Sequence, residues 1–420
     1  MTGSPPRVGL FGLLGSGNIG NDASMESVLG YLRTAHPGAT IDAMCMGPER
    51  LKRIYGIEAI PLFWSRQRVL DIPGVPAVGI KLFGKLVDVF RTAAWVRRHD
   101  VVIVPGMGVL ETTLPLRASG LPYALFVLSA TGRIFGTKVA LVSVGANVIK
   151  QRMTAWLFNS AARLAYYRSY RDAASREAMR QRGLDVSEDP VYPDLAFALP
   201  TPADVPGKPQ TVGIGVMDFH GTNDDRRRAE QIYASYVEQM KQFVLWLVDG
   251  GRSVRLFIGD TSGRDQEVVD QIIAYLHERR PGLPPAQVVA EPVASFTGLM
   301  RSMGPAGAVV ATRYHNLIGA LLLGKPTIAI GYGGKHRSLM ADIGMAEFYQ
   351  PADGLDGDVL IEQFTRLLDR SAELRLTIAA GHAAHAARLA EQFAALSALL
   401  FPAPVAAPGA TVTSGPQPIA

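Results

Sequence analysis

Gly12-Leu13-Leu14-Gly15-Ser16-Gly17-Asn18-Ile19-Gly20-Asn21-Asp22-Ala23 closes a short apolar run, residues 7–14, and leads into residues 23–35, whose apolar positions recur at helical spacing. Strand, glycine turn and helix in that order form the first half of a βαβ unit. Glycines let a backbone approach a ligand closely, and the amides that open a helix are donors for phosphate, carboxylate or a sugar hydroxyl. Gly15, Gly17, Asn18 and Gly20 are therefore candidate binding residues, against the plainer reading of a structural turn. The stretch is not a P-loop, because no Gly-Lys-Ser/Thr follows, and it lacks the later acid of a dinucleotide fingerprint.

The same alternation continues outward. Strands are expected at residues 39–46, 100–105, 139–145 and 166–171, and helices at 87–97, 155–164 and 172–182, the last capped by Asp172 or Ser175. Residues 199–210, LPTPADVPGKPQ, hold four prolines and suit an extended linker. A second series follows, with strands at 211–216, 253–258, 287–290, 308–311 and 327–330. Its helices are expected at 229–249, 265–279, 316–323 and over most of 360–400, the last able to pack across both halves. Short apolar strands alternating with helices predict an α/β protein with two Rossmann-like domains, residues 7–198 and 211–400, whose parallel sheets face a cleft. Residues 402–420 read as a disordered tail. Ligands of such sheets lie beyond the carboxyl ends of the strands, so the loops that follow strands are where chemistry is sought.

Composition narrows the function. At 420 residues, with 48% apolar and 19% charged side chains, the chain can bury two cores. The net charge of +5 is dispersed, with no Lys/Arg block of five, which argues against nucleic acid and suits an anionic small molecule. Cys45 is the only cysteine, so an intrachain disulfide and a Cys-rich zinc site are excluded. The first twenty residues lack a cleavage pattern and no run of about 18 apolar residues occurs, which predicts a cytoplasmic protein. Attachment to the inner face of a membrane, through residues 69–96 for example, stays open, as does the oligomeric state.

Three further stretches carry chemistry. Val102-Ile103-Val104-Pro105-Gly106-Met107-Gly108-Val109-Leu110-Glu111 is again a strand running into glycines. It offers Gly106 and Gly108 for backbone approach and Glu111 as a polar wall or general base. Arg171, at the end of Tyr166-Tyr167-Arg168-Ser169-Tyr170-Arg171-Asp172, could grip a carboxylate or phosphate in a two-pronged contact, with an ion pair to Asp172 or Asp194 as the competing role. The sharpest stretch is Ala311-Thr312-Arg313-Tyr314-His315-Asn316, followed by Gly333-Gly334-Lys335. If the segment is extended, Arg313 and His315 share a face toward the cleft and Tyr314 points away. Arg313, His315 and Lys335 together suit an anion.

Taken in order, the glycine-rich opening around Asn18, the strand-to-glycine loop, the Arg171-Asp172-x-x-Ser175 segment and Arg313-x-His315 with its later Lys335 resemble the polysaccharide pyruvyl transferase family over roughly residues 8–345. Two departures are Gly20-Asn21-Asp22, where the family usually has Gly-Asp, and Gly106-Met107-Gly108, where it usually has consecutive glycines. The resemblance implies a glycosyltransferase-B-like fold and phosphoenolpyruvate as donor substrate, with no further cofactor. It also implies a cell-surface polysaccharide or glycolipid acceptor, joined through a hydroxyl pair as a cyclic ketal. By it, Arg313 and His315 hold the donor while the first domain's glycine loops face the acceptor. Arg171 and Lys335 are added to the site from the residues themselves. A sugar-nucleotide-dependent glycosyltransferase and a non-catalytic scaffold in glycan assembly are the competing expectations.

Overall fold

The computed structural model of the protein describes residues 5–64, 77–111, 118–202, 207–221, 225, 227–261 and 264–401. The tail expected at 402–420 and the middle of the Pro-rich segment, 203–206, lie outside the described residues, as do 69–76.

The first lobe carries β1 (Arg7–Gly12), β2 (Thr40–Cys45), β3 (Glu58–Pro61), β4 (Val101–Pro105), β5 (Lys138–Val144) and β6 (Tyr167–Tyr170). Its helices are α1 (Ile19–Ala35), α2 (Pro48–Tyr55), α3 (Ala77–Val96), α4 (Leu121–Phe135), α5 (Arg152–Leu164) and α6 (Ala173–Gln181). The second lobe carries β7 (Lys208–Gly215), β8 (Ser253–Phe257), β9 (Val288–Ala290), β10 (Ala306–Ala311), β11 (Thr327–Gly331) and β12 (Tyr349–Pro351). With it come α7 (Ala229–Asp249), α8 (Asp265–Arg279), α9 (Phe296–Met303), α10 (Tyr314–Leu322), α11 (Gly334–Asp342), α12 (Gly357–Asp369) and α13 (Ser371–Leu400).

Every strand pairing is parallel, and the two six-stranded sheets run β3-β2-β1-β4-β5-β6 and β12-β11-β10-β7-β8-β9. Counted from its own first strand, each sheet has the order 3-2-1-4-5-6, the doubly wound Rossmann arrangement. The central strands β4 and β10 are buried along their whole length, which explains why both read as unbroken apolar runs: helices cover both faces. The strand order reverses between β1 and β4 in one lobe and between β7 and β10 in the other. The loops after β1, β4 and β10 hold most of the residues that the sequence points to, with Arg171 after β6 and Lys335 after β11.

The lobes touch along the opening glycine turn. Ile19 N donates to Gly259 O at 3.3 Å, Thr261 N donates to Gly17 O at 3.1 Å, and Asn18 forms an antiparallel bridge with Asp260. The last helix ties the lobes a second time. At its start, Arg375 donates to the carbonyls of Gly307 (2.9 Å) and Gly324 (3.3 Å) in the second lobe. Toward its end, Phe393 stacks on Tyr31 of the first lobe at 4.7 Å, and Lys138 Nζ donates to the carbonyls of Leu399 and Leu400. A lysine at a helix C-terminus satisfies orphan carbonyls and opposes the negative end of the dipole. No described helix is long and apolar enough to cross a membrane.

Candidate functional site

The first lobe contributes a buried charge cluster. The β4 loop turns through Gly106 (φ +50°) and Met107 (φ +62°), and the chain then delivers Glu111. Arg171 follows β6 and ion-pairs with Glu111. Its Nη1 lies 3.6 Å from Asp194 Oδ2, and its Nε lies 3.8 Å from Asp172 Oδ2. Asp172 also caps α6, accepting from Ser175 N at 2.6 Å, so the acid expected to start that helix does so. Room for the cluster comes from Gly145: a Cβ there would collide with the side chains of both Glu111 and Arg171.

From the facing lobe, Lys335 on the first turn of α11 brings its Nζ to 3.6 Å from Glu111 Oε2. Burial alone would push the Glu111 carboxyl up, but the charges of Arg171 and then Lys335 outweigh it and hold the pKa down at about 2. Glu111 is thus a firmly ionised carboxylate engaged by two cations. So low a pKa makes it a weak base.

His315 stands on α10 at the same seam. Its Nε2 is 3.9 Å from Asp194 Oδ1 and has no hydrogen-bond partner, and Asp194 Oδ2 and Arg171 Nε also lack one. Across the lobe boundary its ring rests on Gly20, where any Cβ would fall into the imidazole. Burial pushes the imidazole pKa down to about 4, helped by Arg171 and Lys335 and resisted by Asp194. At neutral pH the ring is uncharged. Three buried polar atoms at one seam lack a hydrogen bond, where buried groups are ordinarily satisfied, which makes the seam the candidate place for a polar ligand.

Two expectations change here. Tyr314 does not point away from the cleft: it lies buried at the seam, its ring 5.3 Å from the Arg171 guanidinium and 5.2 Å from Lys335 Nζ. The reason is local geometry. Arg313 is the N-cap, so the helix already begins at Tyr314, and side chains there step by about 100° rather than alternating. Arg313, for its part, turns to a buried partner in its own lobe. Its Nε and Nη2 make a forked pair with Asp265 at 2.8 and 2.6 Å, and Asp265 also accepts from Asp218 N at 3.0 Å. Arg313 is therefore held within its own lobe, while His315 joins Arg171, Lys335, Glu111 and Asp194.

The opening glycine turn also differs from expectation. The donors of the first helical turn are already used: Ile19 N by Gly259 O, Gly20 N and Asn21 N by Asn18 Oδ1 (3.0 and 3.2 Å), and Asp22 N by Asn18 O. Gly15 N donates to Asp22 Oδ1 at 2.7 Å. In this structure Gly17 and Asn18 seat one lobe on the other, Gly20 clears space for His315, and Gly15 packs against Gly47 and Leu51 within its own lobe. The glycines at 106 and 108 act similarly: a Cβ at Gly106 would strike Ser24, and one at Gly108 would strike the Glu111 carboxylate.

Several participants were not picked from the sequence. Asp194 was weighed only as an ion-pair partner of Arg171. Asp22, nearly fully buried and bound by Arg50 at 3.2 Å, lay unremarked inside the opening motif. Asp265 opens α8 as an ordinary first-turn acid, with no local signal that it holds Arg313. Among the described residues, no group of three or more His, Cys, Asp or Glu side chains is arranged to hold a metal.

Two doubly wound lobes meeting at a charged seam, at the carboxyl ends of both sheets, define an α/β protein of the glycosyltransferase-B-like fold. Within that class the chain belongs to the polysaccharide pyruvyl transferase family, whose model matches residues 18–334. No curated protein matches. Solved structures share the fold at low identity. A putative UDP-N-acetylglucosamine 2-epimerase from Listeria monocytogenes is 12% identical, covering 95% of this chain and 97% of that one, with a TM-score of 0.59. The UDP-GlcNAc 2-epimerase from Neisseria meningitidis bound to UDP-GlcNAc is 12% identical over 93% and 99%, at 0.53. The glycosyltransferase SnogD from Streptomyces nogalater is 17% identical over 94% and 100%, at 0.50.

Proposed function

We propose that this protein transfers the pyruvyl group of phosphoenolpyruvate to a hydroxyl pair of a saccharide in a polysaccharide or glycolipid, forming a cyclic ketal. The observation that carries the reading is the convergence of Arg171 and Lys335, from opposite lobes, beside the unpaired Nε2 of His315. Family membership supports a polysaccharide-modifying transferase; the donor and the ketal are our inference from that site.

In this mechanism the two cations, now shared with Glu111, hold the donor's carboxylate and phosphate, and Arg313 adds to the positive field. A bound polyanion raises the His315 pKa from its depressed value, because opposite charge favours the imidazolium. The imidazolium, facing Asp194, gives its proton to the donor's methylene carbon as the carbon–carbon double bond opens. A sugar hydroxyl attacks the resulting oxocarbenium-like carbon and loses its proton. A second hydroxyl then displaces inorganic phosphate and closes the ketal. Tyr314 walls the seam and keeps water from the cations.

The test is donor binding followed by turnover. Calorimetry should show phosphoenolpyruvate binding and nucleotide sugars failing to bind, with binding lost in Arg171→Gln and Lys335→Gln. Phosphate release should then depend on an added saccharide. Tight nucleotide-sugar binding with no response to phosphoenolpyruvate would favour a glycosyltransferase and overturn the proposal.

A further inference from the structure

On the first lobe, α3 packs on α4 and α4 on α5, making one continuous helical layer. Its outer side is not polar. Phe83, Leu86 and Phe90, spaced i, i+3 and i+7 on α3, are 59%, 55% and 68% exposed, and Met153 and Trp156 on α5 are 61% and 54% exposed. Large exposed apolar side chains gathered on one layer mark an interaction surface.

The charge pattern says what the surface meets. Between Glu111 and Asp172 the chain contains no Asp or Glu at all. On α3 the single acid, Asp88, is buried, accepts from Trp64 N at 2.8 Å, and is ion-paired with Lys85 (3.5 Å) and Arg91 (3.6 Å). The exposed charges of this layer and its borders are mostly cationic: Arg97, Arg98, Arg133, Lys150 and Arg152, against Asp100 at the border, which accepts from Arg7 N at 2.8 Å. Apolar side chains set among an excess of cations complement a surface that is negative outside and apolar just beneath. A second copy docked through the same patch would set cation against cation.

We propose that the α3–α5 layer docks this protein on an anionic phospholipid surface, with the aromatic and aliphatic side chains in the interface and the Lys and Arg side chains on the headgroups. The layer borders the candidate site: Val148, 56% exposed, follows three residues after Gly145, the glycine that makes room for Glu111 and Arg171. On the proposed reaction, docking in this way presents the cleft to an acceptor carried by a lipid. The docking itself is independent of that reaction and is read without substrate.

The experiment is co-sedimentation of the full chain with vesicles of phosphatidylcholine alone and of phosphatidylcholine mixed with phosphatidylglycerol. Binding is expected only to the anionic vesicles, weakening as salt is raised. It should fall about tenfold or more in Phe90→Glu with Trp156→Glu and, separately, in Lys150→Glu with Arg152→Glu. Thermal melting and phosphoenolpyruvate binding should match the parent, because these side chains lie outside the cleft. Wild-type protein that ignores anionic vesicles, or variants that bind them as well as wild type, overturns the proposal. So does a wild-type dimer that the same substitutions dissociate.

Discussion

Gly20, on the first turn of α1, lies flat against the imidazole of His315 on α10, so that a hydrogen atom of one lobe touches the candidate acid of the other.

Gly20→Ala should therefore act as a wedge. The added methyl must displace the His315 ring or part the lobes, at a cost of about 1–3 kcal/mol by analogy with overpacked interiors. Turnover should fall roughly a hundredfold, because small misplacements of a reacting group are that costly. Melting temperature and steady-state kinetics of the variant check both parts; an unchanged kcat would separate Gly20 from catalysis.

His315→Asn should lower turnover by about two to four orders of magnitude while the protein stays folded. The pH behaviour is more specific. Because its folded pKa lies near 4 against an ordinary 6.5, the neutral ring contributes stability in full above about pH 6.5, and that contribution is lost as pH falls toward 4. Wild type should accordingly lose stability relative to His315→Asn across that window. In kinetics, the acid must be protonated, so rate falls as pH rises past its pKa. That pKa should be higher in the kcat profile, with donor bound, than in the kcat/KM profile of the free enzyme.

Glu111→Gln removes the carboxylate from between Arg171 and Lys335. Breaking a buried pair costs on the order of 3 kcal/mol, softened here by Asp172 and Asp194 near Arg171. The sign with pH is fixed by the depressed pKa: the stabilisation is present above about pH 4.5 and disappears as pH falls through about 2. Melting curves of wild type and variant should thus converge in acid. If they stay parallel, the ion-pair account fails.

Arg313→Lys keeps the charge and removes the fork that grips Asp265. Stability should drop by about 2 kcal/mol, since Asp265 is fully buried and would keep a single point contact. Donor affinity should suffer less than in Lys335→Gln. A larger loss of phosphoenolpyruvate binding in Arg313→Lys would restore Arg313 as the principal donor contact.

Long amphipathic segments such as α7 and α8 are legible end to end, because helix and strand periods are local properties, whereas β10, expected at 308–311, begins two residues earlier at Ala306. By contrast α4, LPYALFVLSATGRIF, escaped notice: apolar around most of its circumference, it has no polar stripe to announce a helix. The candidate site was legible as a set of loops, and Glu111, Arg171, His315 and Lys335 do meet. Their partners were not. Arg313 and Asp265 are 48 positions apart, and nothing near either residue advertises the other. The side on which Tyr314 falls depended on a single boundary, whether α10 begins before or after it.

Gln392, on the last helix, joins two strands of the first lobe. Its side chain accepts from Ser143 Oγ and donates to Ser169 Oγ, which in turn receives Ser143 N, at the point where Ser143 adopts φ +49° and the β5–β6 register slips. Those two strands belong to the first half of the chain, yet the clasp that closes them is made 249 positions after Ser143. On the ribosome, the earlier lobe must then wait, one seam unfastened, until the final long helix emerges, although lobes ordinarily mature in the order they are synthesised.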